Sequence, residues 1–586
     1  MRRGHVEAIL TRHFLRRFLE NDLISPDADR LQLLVVVGAG VLSSTLFIAT
    51  FLSLKYAHMA NTPGQLAILA LNDRAFYVAL SMVIAALVAV AQWDALVVDA
   101  RDAAILEPLP IRAGTVRRAK LAAVSLFGAA VAVAVNVAPS VIFPWLVVFG
   151  TSLRVVDMVM LMAAHFAFTV MASAFAYLTI IALRGTLAAL LPGRVFARVS
   201  PWVQGALIVV FGSALLLVPP LTAATTQDGF AGRRALAPPN WLLGAYESAA
   251  GGILAEAPRG RLAARQARAD AIATALYARH RPHFPTLARR AGTAFALVLL
   301  ITAAAYLTNA RGFSAIAAPV APATRHRWRL ASRLARATAV RDATMRAGFF
   351  FAMATMWRSP VHRLTMAGAA AVGLAMCLIA LSGVDLARAS QTAGAPQRLL
   401  AVQPLFFGAL LVGFRHAMRV PVELRAGWGF EIAWREHDRQ FLTGVRRAAL
   451  VGVAIPALLA ALPLFVAVIG WPTALAHAAL GLAGAVVLLE VLLVGYTKVP
   501  FTCTYVPNEN MKALGPLFVI LFLIGASMFA GMQRDALAAP ADTVRLLLVL
   551  AIVFAACRTI SIRTRRPALM DFHEAPVTTQ RLGLHT

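Results

Sequence analysis

Long, nearly uninterrupted apolar runs constrain the fold of this chain more than any other feature of its sequence. Hydrophobic residues make up 60% of its 586 residues, which is more than a soluble core needs. A helix that crosses a bilayer needs about 20 mostly apolar residues. The runs are too long and too continuous for the alternating strands of a membrane barrel, so we expect an all-α, polytopic membrane protein. About twelve runs qualify, at residues 31–54, 76–93, 121–150, 156–183, 203–222, 291–307, 364–384, 404–414 with its flanks, 450–470, 474–497, 516–532 and 546–557.

The runs recur in two sets of six. Arg117 and Arg446 stand in similar basic motifs, each just before an apolar run, at an offset of 329 residues. The same offset places the first run, 31–54, on residues 360–383, which lie almost entirely in another run. The sequence therefore predicts two six-helix repeats. An even number of spans in each repeat gives both repeats the same orientation, an arrangement typical of transporters built from parallel repeats.

The charge of the chain is strongly basic, with 55 Lys and Arg against 27 Asp and Glu, a net +28. Nucleic-acid binding is not predicted, because the basic residues are spread between the apolar runs. A cytoplasmic N-terminus puts 38 of the 55 on the cytoplasmic side, as the positive-inside rule requires, and ten of the other 17 fall in one long outer loop, 223–290. We therefore predict that the bilayer is a partner and that both termini are cytoplasmic. The high Ala and Arg content with little Lys indicates a GC-rich bacterial genome, and hence the bacterial inner membrane.

Amphipathic segments precede both repeats. Residues 5–24 have apolar side chains at helical spacing opposite a basic face, which predicts an interfacial helix, and residues 347–357 occupy the matching place later. The predicted organisation is a connecting helix (1–30), a first membrane module (31–308) with the outer loop 223–290, a linker with a second connecting helix (309–363), a second membrane module (364–557) and a cytoplasmic tail (558–586).

Two predicted cytoplasmic loops mix charges of both signs with apolar anchors, a composition that favours docking of a protein. The alternative is an ordinary solvated loop, but the pattern occurs in both halves. The first loop, 94–120, contains the candidate docking residues Asp99, Arg101, Asp102, Glu107, Arg112 and Arg117. The second, 419–447, contains Glu423, Arg425, Glu431, Arg435, Glu436 and Arg439.

The first of these loops carries a family resemblance. Residues 99–112, DARDAAILEPLPIR, followed by the basic stretch before the third span, resemble permease subunits of type-2 ATP-binding-cassette (ABC) exporters. The resemblance implies that this loop holds a coupling helix that contacts the ATPase, and that the N-terminal amphipathic helix is the family's connecting helix. The outer segment PPNWLLGAYE (238–247) is similar too, and VPVELRAGWGF (420–430) and KVPFTCTYVP (498–507) resemble the fused, double-length bacterial members.

The chain contains no P-loop motif, so the resemblance implies a separate P-loop ATPase subunit that binds the ATP. The sequence also shows no metal-ligand spacing and no motif of a known enzyme, so we predict a transporter subunit that needs no cofactor of its own. Two fused halves are compatible with a complete pathway in one chain or with a homodimer.

Glu490 is the clearest acidic residue inside an apolar run. A charge in a span is costly and is a candidate for function by default, although a carboxylate paired with an Arg between helices is the commoner explanation. As an alternative function, Glu490 would be the proton site of a secondary transporter. Asn136, His165 and His477 also lie in or near runs; structural hydrogen bonds or a proton relay with an acidic residue are the two interpretations.

Overall fold

The computed structural model describes residues 3–19, 55–56, 61–96, 106, 108–149, 151–228, 230, 232–258, 262–309, 342–382, 384–385, 395–422, 438–494, 496, 499–502 and 515–564. Helix accounts for 89% of these residues, and no strand occurs among them. The chain divides into two compact units, Met1–Ala321 and Pro322–Thr586, with the boundary inside the predicted linker 309–363.

Eleven helical segments in the described part of the chain are long and apolar enough to cross a membrane. They coincide with eleven of the twelve apolar runs, which confirms the prediction of an all-helical, multi-pass membrane protein. The remaining run, 31–54, lies outside the described residues. The division into two equivalent repeats stays a prediction.

Unit 1 is built around one central helix, α2. Its long helices α3 and α4 pack against α2 and against each other, α5 packs on another side of α2, and α9 packs on α4 and α6. The short helix α1 lies on α3. The helices are α1 (Arg3–Leu19), α2 (Pro63–Ala91), α3 (Ala113–Val148), α4 (Val155–Leu190), α5 (Gly193–Asp228), α6 (Pro238–Tyr246), α7 (Gly252–Ala255), α8 (Ala264–His280) and α9 (Phe284–Asn309).

Unit 2 has α12 at its centre, packed against α11, α15 and α16, while α17 packs against α15 and α16. The short helix α10 lies on α13. Gly470 alone joins α14 to α15, with a φ of 78° that glycine tolerates better than other residues. The helices are α10 (Ala343–Arg358), α11 (Pro360–Leu381), α12 (Gln397–Ala417), α13 (Asp438–Ala449), α14 (Ile455–Ile469), α15 (Trp471–Leu492), α16 (Gly515–Ala538) and α17 (Pro540–Thr564), with a π-helical turn, Leu450–Ala454, between α13 and α14.

Most helices extend beyond the apolar runs that predicted them. The run at 76–93 corresponds to α2, which begins thirteen residues earlier because Pro63 occupies its first position, where a missing N–H costs nothing. Asp73 and Arg74 therefore lie inside a helix, although the sequence analysis placed them before the span. Both residues have partners inside unit 1: Asp73 is bonded to Lys55 and Tyr56, and Arg74 is paired with Glu247.

The predicted outer loop 223–290 is also mostly helical. Helix α5 continues to Asp228 and α9 begins at Phe284, so that residues 232–283 form the connection between them. We call this segment the α5–α9 connection. It contains α6, α7 and α8 and packs against α2 and α9, so it is part of the folded unit.

Candidate functional site

The first predicted docking loop is described only at its end. Asp99, Arg101, Asp102 and Glu107 lie outside the described residues. Arg112 is exposed just before α3, and Arg117 is half-buried in the first turns of that helix.

The start of α3 is the surface on which α1 lies. Phe14 of α1 is fully buried, and the Lys120 ammonium group sits 4.7 Å from the centre of its ring. This cation–π contact explains how Lys120 is buried at 2% exposure. At the rim, Arg118 pairs with Glu7 at 3.3 Å. The basic motif after the first loop thus holds the N-terminal helix in place.

The second predicted loop is followed by an equivalent contact in unit 2. Glu423, Arg425, Glu431, Arg435 and Glu436 lie outside the described residues, and Arg439 lies near the start of α13.

Helix α10 approaches α13 backbone to backbone. A Cβ on Gly348 would meet the carbonyl oxygen of Phe441, and a Cβ on Gly444 would meet that of Met345. In both units a short helix therefore packs on the helix that follows a charged loop.

Glu490 is held between three helices of unit 2. Its carboxylate lies 3.2 Å from the Arg446 guanidinium of α13 and 3.5 Å from that of Arg558 on α17. Glu490 and Arg446 are both buried. The structure therefore gives Glu490 the Arg partners that the structural interpretation requires, and Arg446 is the motif residue that defined the sequence repeat.

The other intramembrane polar residues make local contacts. Asn136 accepts a hydrogen bond from Ser81 at 2.6 Å and donates one to Ser173 at 2.9 Å, joining α2, α3 and α4. His477 lies on the same helix as Glu490 but thirteen residues away, which is about 20 Å at the helical rise. A direct proton transfer between His477 and Glu490 is therefore excluded.

Unit 1 contains a buried charged cluster that the sequence analysis missed. Arg74 of α2 pairs with Glu247 at 2.7 Å, with side chains 2% and 0% exposed. Tyr277 donates a hydrogen bond to the other Glu247 oxygen at 2.8 Å. The Arg74 guanidinium lies 4.8 Å from the centre of the Tyr246 ring, and His165 Nδ1 lies 3.2 Å from the Tyr246 hydroxyl. We call these five residues the Arg74 cluster.

The Arg74 cluster connects α2 and α4 to the α5–α9 connection. Burial raises the pKa of Tyr246 to about 12, so that its hydroxyl stays protonated above pH 10, where a free tyrosine ionises. The sequence signal for the cluster was present but weak: Arg74 is the one basic residue between 56 and 100, and Glu247 ends the PPNWLLGAYE segment. The sequence around either residue does not indicate that its partner lies 173 positions away.

A second contact fixes the start of α2 to the same connection. The Asp270 carboxylate of α8 accepts hydrogen bonds from the backbone N–H groups of Gly64 at 2.8 Å and Gln65 at 3.1 Å. These N–H groups belong to the first turn of α2 and have no acceptor within the helix. A carboxylate there also interacts favourably with the positive end of the helix dipole.

Unit 2 contains a buried, uncharged polar contact between Gln403 and Gln533. Gln403 of α12 stands 329 residues after Arg74, the same offset that relates the two basic motifs. Gln533, near the end of α16, donates a hydrogen bond to Gln403 at 3.2 Å, and Gln403 donates one to the His477 carbonyl at 3.2 Å. Gln533 lies inside α16, whereas Glu247 lies in the α5–α9 connection.

Within the described residues, no group of His, Cys, Asp and Glu side chains is arranged to hold a metal ion. Comparisons of the chain with protein families, with curated proteins and with solved structures give no match.

Proposed function

We propose that this chain is the membrane permease subunit of an ATP-driven exporter of the ABC type, working with a separate P-loop ATPase in a bacterial inner membrane. In this proposal the two units are parallel repeats, both termini are cytoplasmic, and the ATPase docks on the two charged loops. ATP binding would bring two ATPase domains together, and their movement would reach the membrane helices through those loops.

The main support is the contact that recurs in both units. Helix α1 packs on the start of α3, and α10 packs on α13, so each charged loop leads directly into a helix that is fixed to a short neighbouring helix. A force applied to either loop would therefore move two helices together. The shared offset of 329 residues at Arg117/Arg446 and at Arg74/Gln403 supports the two-repeat arrangement.

The test is purification of the tagged, full-length chain from its native membrane in mild detergent, followed by mass spectrometry of the intact complex. We expect a stoichiometric P-loop ATPase. The mass of the complex also distinguishes one permease chain with two ATPases from a permease homodimer. A folded, monodisperse preparation without any ATPase would contradict the proposal.

A charge reversal locates the docking surface. Arg112→Glu, at the exposed end of the first loop, should reduce the amount of bound ATPase. Arg265→Glu is the matched control, because Arg265 is equally an exposed Arg but belongs to α8, on the predicted opposite side of the membrane. Equal loss of ATPase in both variants would count against docking at the first loop.

The second candidate is a proton-coupled secondary transporter that uses Glu490. The carboxylate of Glu490 in a membrane helix favours this second candidate. However, Glu490 pairs with Arg446 and Arg558, and these partners give its charge a structural role. Glu490→Gln separates the two proposals. As a proton site, Glu490 would be essential, and the variant would lose transport and its dependence on the proton gradient. As a structural ion pair, it would lower the yield of folded protein, while the folded fraction kept its ATPase-dependent activity.

A further inference from the structure

Unit 1 contains a cavity of about 740 Å³ at one end of its helices. Its walls are the start of α4 (152–157), the segment 247–258, and the junction of α8 and α9 (277–285). This volume lies in the range of small-molecule sites, about 300–1,000 Å³. The cavity therefore has room for a ligand of substantial size.

The charges around the cavity have both signs. Arg154 pairs with Asp157 at 3.3 Å, and Arg281 pairs with Glu256 at 3.2 Å. The two Arg side chains and Glu256 are exposed, and exposed ion pairs contribute little stability, so a ligand with its own charges can replace a partner at low cost. Glu247 also lines the cavity, but its carboxylate is fully buried and paired with Arg74 and Tyr277. Such a lining matches a ligand that bears a positive and a negative group.

The surroundings of the cavity indicate a membrane boundary. Val155 and Val156 begin the apolar helix α4 and are 72% and 63% exposed, as expected for side chains that face lipid. Trp145 and Phe149, at the end of α3, are exposed as well and contact each other. Exposed aromatic residues at helix ends are typical of the level of the lipid headgroups. Apolar residues of the lining, including Leu153, complete a surface with both polar and apolar character.

We propose that this cavity binds the zwitterionic headgroup of a phospholipid of the phosphatidylethanolamine type. The phosphate would contact Arg154 and Arg281, the ammonium group would contact Glu256 and Asp157, and the glycerol end would lie along the apolar wall. This site does not depend on the proposed function, because lipid binding requires neither an ATPase nor transport.

The test measures binding of short-chain lipids to the purified, full-length protein in detergent, by the shift of its thermal unfolding midpoint over a titration. Dihexanoyl phosphatidylethanolamine should bind roughly tenfold more tightly than dihexanoyl phosphatidylglycerol, which has the anion alone, and than hexylamine, which has the cation alone. Binding of a zwitterionic dipeptide is measured in the same way, because it carries both charges without a lipid. Equal binding of the three lipid-like probes, or tighter binding of the dipeptide, would overturn the assignment.

Three variants place the binding in the cavity. Ala249→Trp fills the cavity from an exposed position in its wall and should abolish the shift. Ala271→Trp is the matched control, on an exposed face of α8 that does not line the cavity. If Ala249→Trp does not fold, Arg281→Gln removes one headgroup contact and should weaken phosphatidylethanolamine binding roughly tenfold. Unchanged binding in Arg281→Gln, or in a folded Ala249→Trp, would refute the proposal.

Discussion

Single residues in this protein are stabilised by partners that are distant in sequence. Arg74 and Glu247 are both buried and lie 173 positions apart, and Glu490 depends on Arg446 and Arg558. The sequence predicted that Glu490 lies inside a helix, because a single acidic residue in an apolar run is conspicuous. It offered an Arg partner as the commoner explanation but did not identify Arg446 or Arg558, since an Arg near the end of a run looks like an ordinary cytoplasmic charge. Arg74 was not predicted to lie in a helix because the predicted apolar run begins at residue 76.

Removing one partner of the buried pair should strongly destabilise unit 1. Arg74→Ala leaves the Glu247 carboxylate buried without its counter-charge, which costs about 3–5 kcal/mol. The measurement is the unfolding midpoint in detergent. The matched control is Arg545→Ala, which breaks a pair with Asp542 at 2.8 Å in which the Arg is 78% exposed, and which should leave the midpoint nearly unchanged. An equal fall of the unfolding midpoint in both variants would show that the buried Arg74–Glu247 pair stabilises the protein no more than an exposed pair does.

Tyr246 should give the protein a distinct alkaline transition. Burial raises its pKa to about 12 in the folded state, whereas a tyrosine in the unfolded chain titrates near 10. The stability gained from the protonated hydroxyl is therefore fully present below about pH 10 and is lost as the pH rises towards 12. The absorbance of tyrosinate near 295 nm, compared between wild type and Tyr246→Phe, should show one tyrosine fewer ionising near pH 12 in the variant. A difference centred near pH 10 would contradict the assignment.

The sequence predicted the membrane helices better than any other feature of the structure. Each of the eleven helices in the described residues that are long and apolar enough to cross a membrane overlaps a predicted apolar run, because such helices are recognised by apolar length. Their ends were less predictable. Helix α2 begins well before the predicted run, and Asp270 of α8 binds two N–H groups of its first turn. The sequence did not predict the contact between α10 and α13 either. This contact depends on two glycines, one on each helix, and each glycine has to face the backbone of the opposite helix.

The packing of α10 on α13 should be sensitive to a single methyl group. In Gly444→Ala, the new Cβ would meet the backbone of Met345 and Phe349, which has no flexible end to move aside. Overpacking of this kind costs about 1–3 kcal/mol. We expect a lower unfolding midpoint and faster hydrogen exchange in α10. Gly368→Ala in α11 is the control, because nothing lies within 4 Å of its Cβ position. Unchanged exchange in α10 of Gly444→Ala would show that the two helices are not in close contact.

At the scale of the whole molecule, the chain consists of two compact units, each with its own hydrophobic core. The matching register of the basic motifs predicts a duplication, which stays a prediction. The α5–α9 connection shows where the units differ. In unit 1 it spans residues 232–283, whereas in unit 2 a single residue, Ala539, separates α16 from α17. The gap between apolar runs is long at 223–290 and short at 533–545, so the sequence indicates the difference in length, but not that the longer connection is folded into the bundle.

The charge distribution predicts the topology of the whole chain. In a variant whose Cys377, Cys503 and Cys557 are replaced by Ala, a cysteine introduced as Arg265→Cys should react with a membrane-impermeant maleimide added to intact cells. A cysteine introduced as Arg112→Cys should react only after the membrane is permeabilised. Both positions are exposed, so accessibility within the protein is matched. Labelling of Arg112→Cys in intact cells would reverse or refute the predicted orientation.

The distance in sequence between Arg74 and Glu247 also has a consequence for the synthesis of the protein. At about 5–20 residues per second, the ribosome needs roughly 10–35 s to produce the 173 residues that separate them. During that interval the Arg74 guanidinium lacks the Glu247 carboxylate, and the first turn of α2 lacks the Asp270 carboxylate. The nascent unit 1 therefore cannot complete its packing until the α5–α9 connection has been translated. A chain that ends before residue 247 therefore has Arg74 without its buried counter-charge.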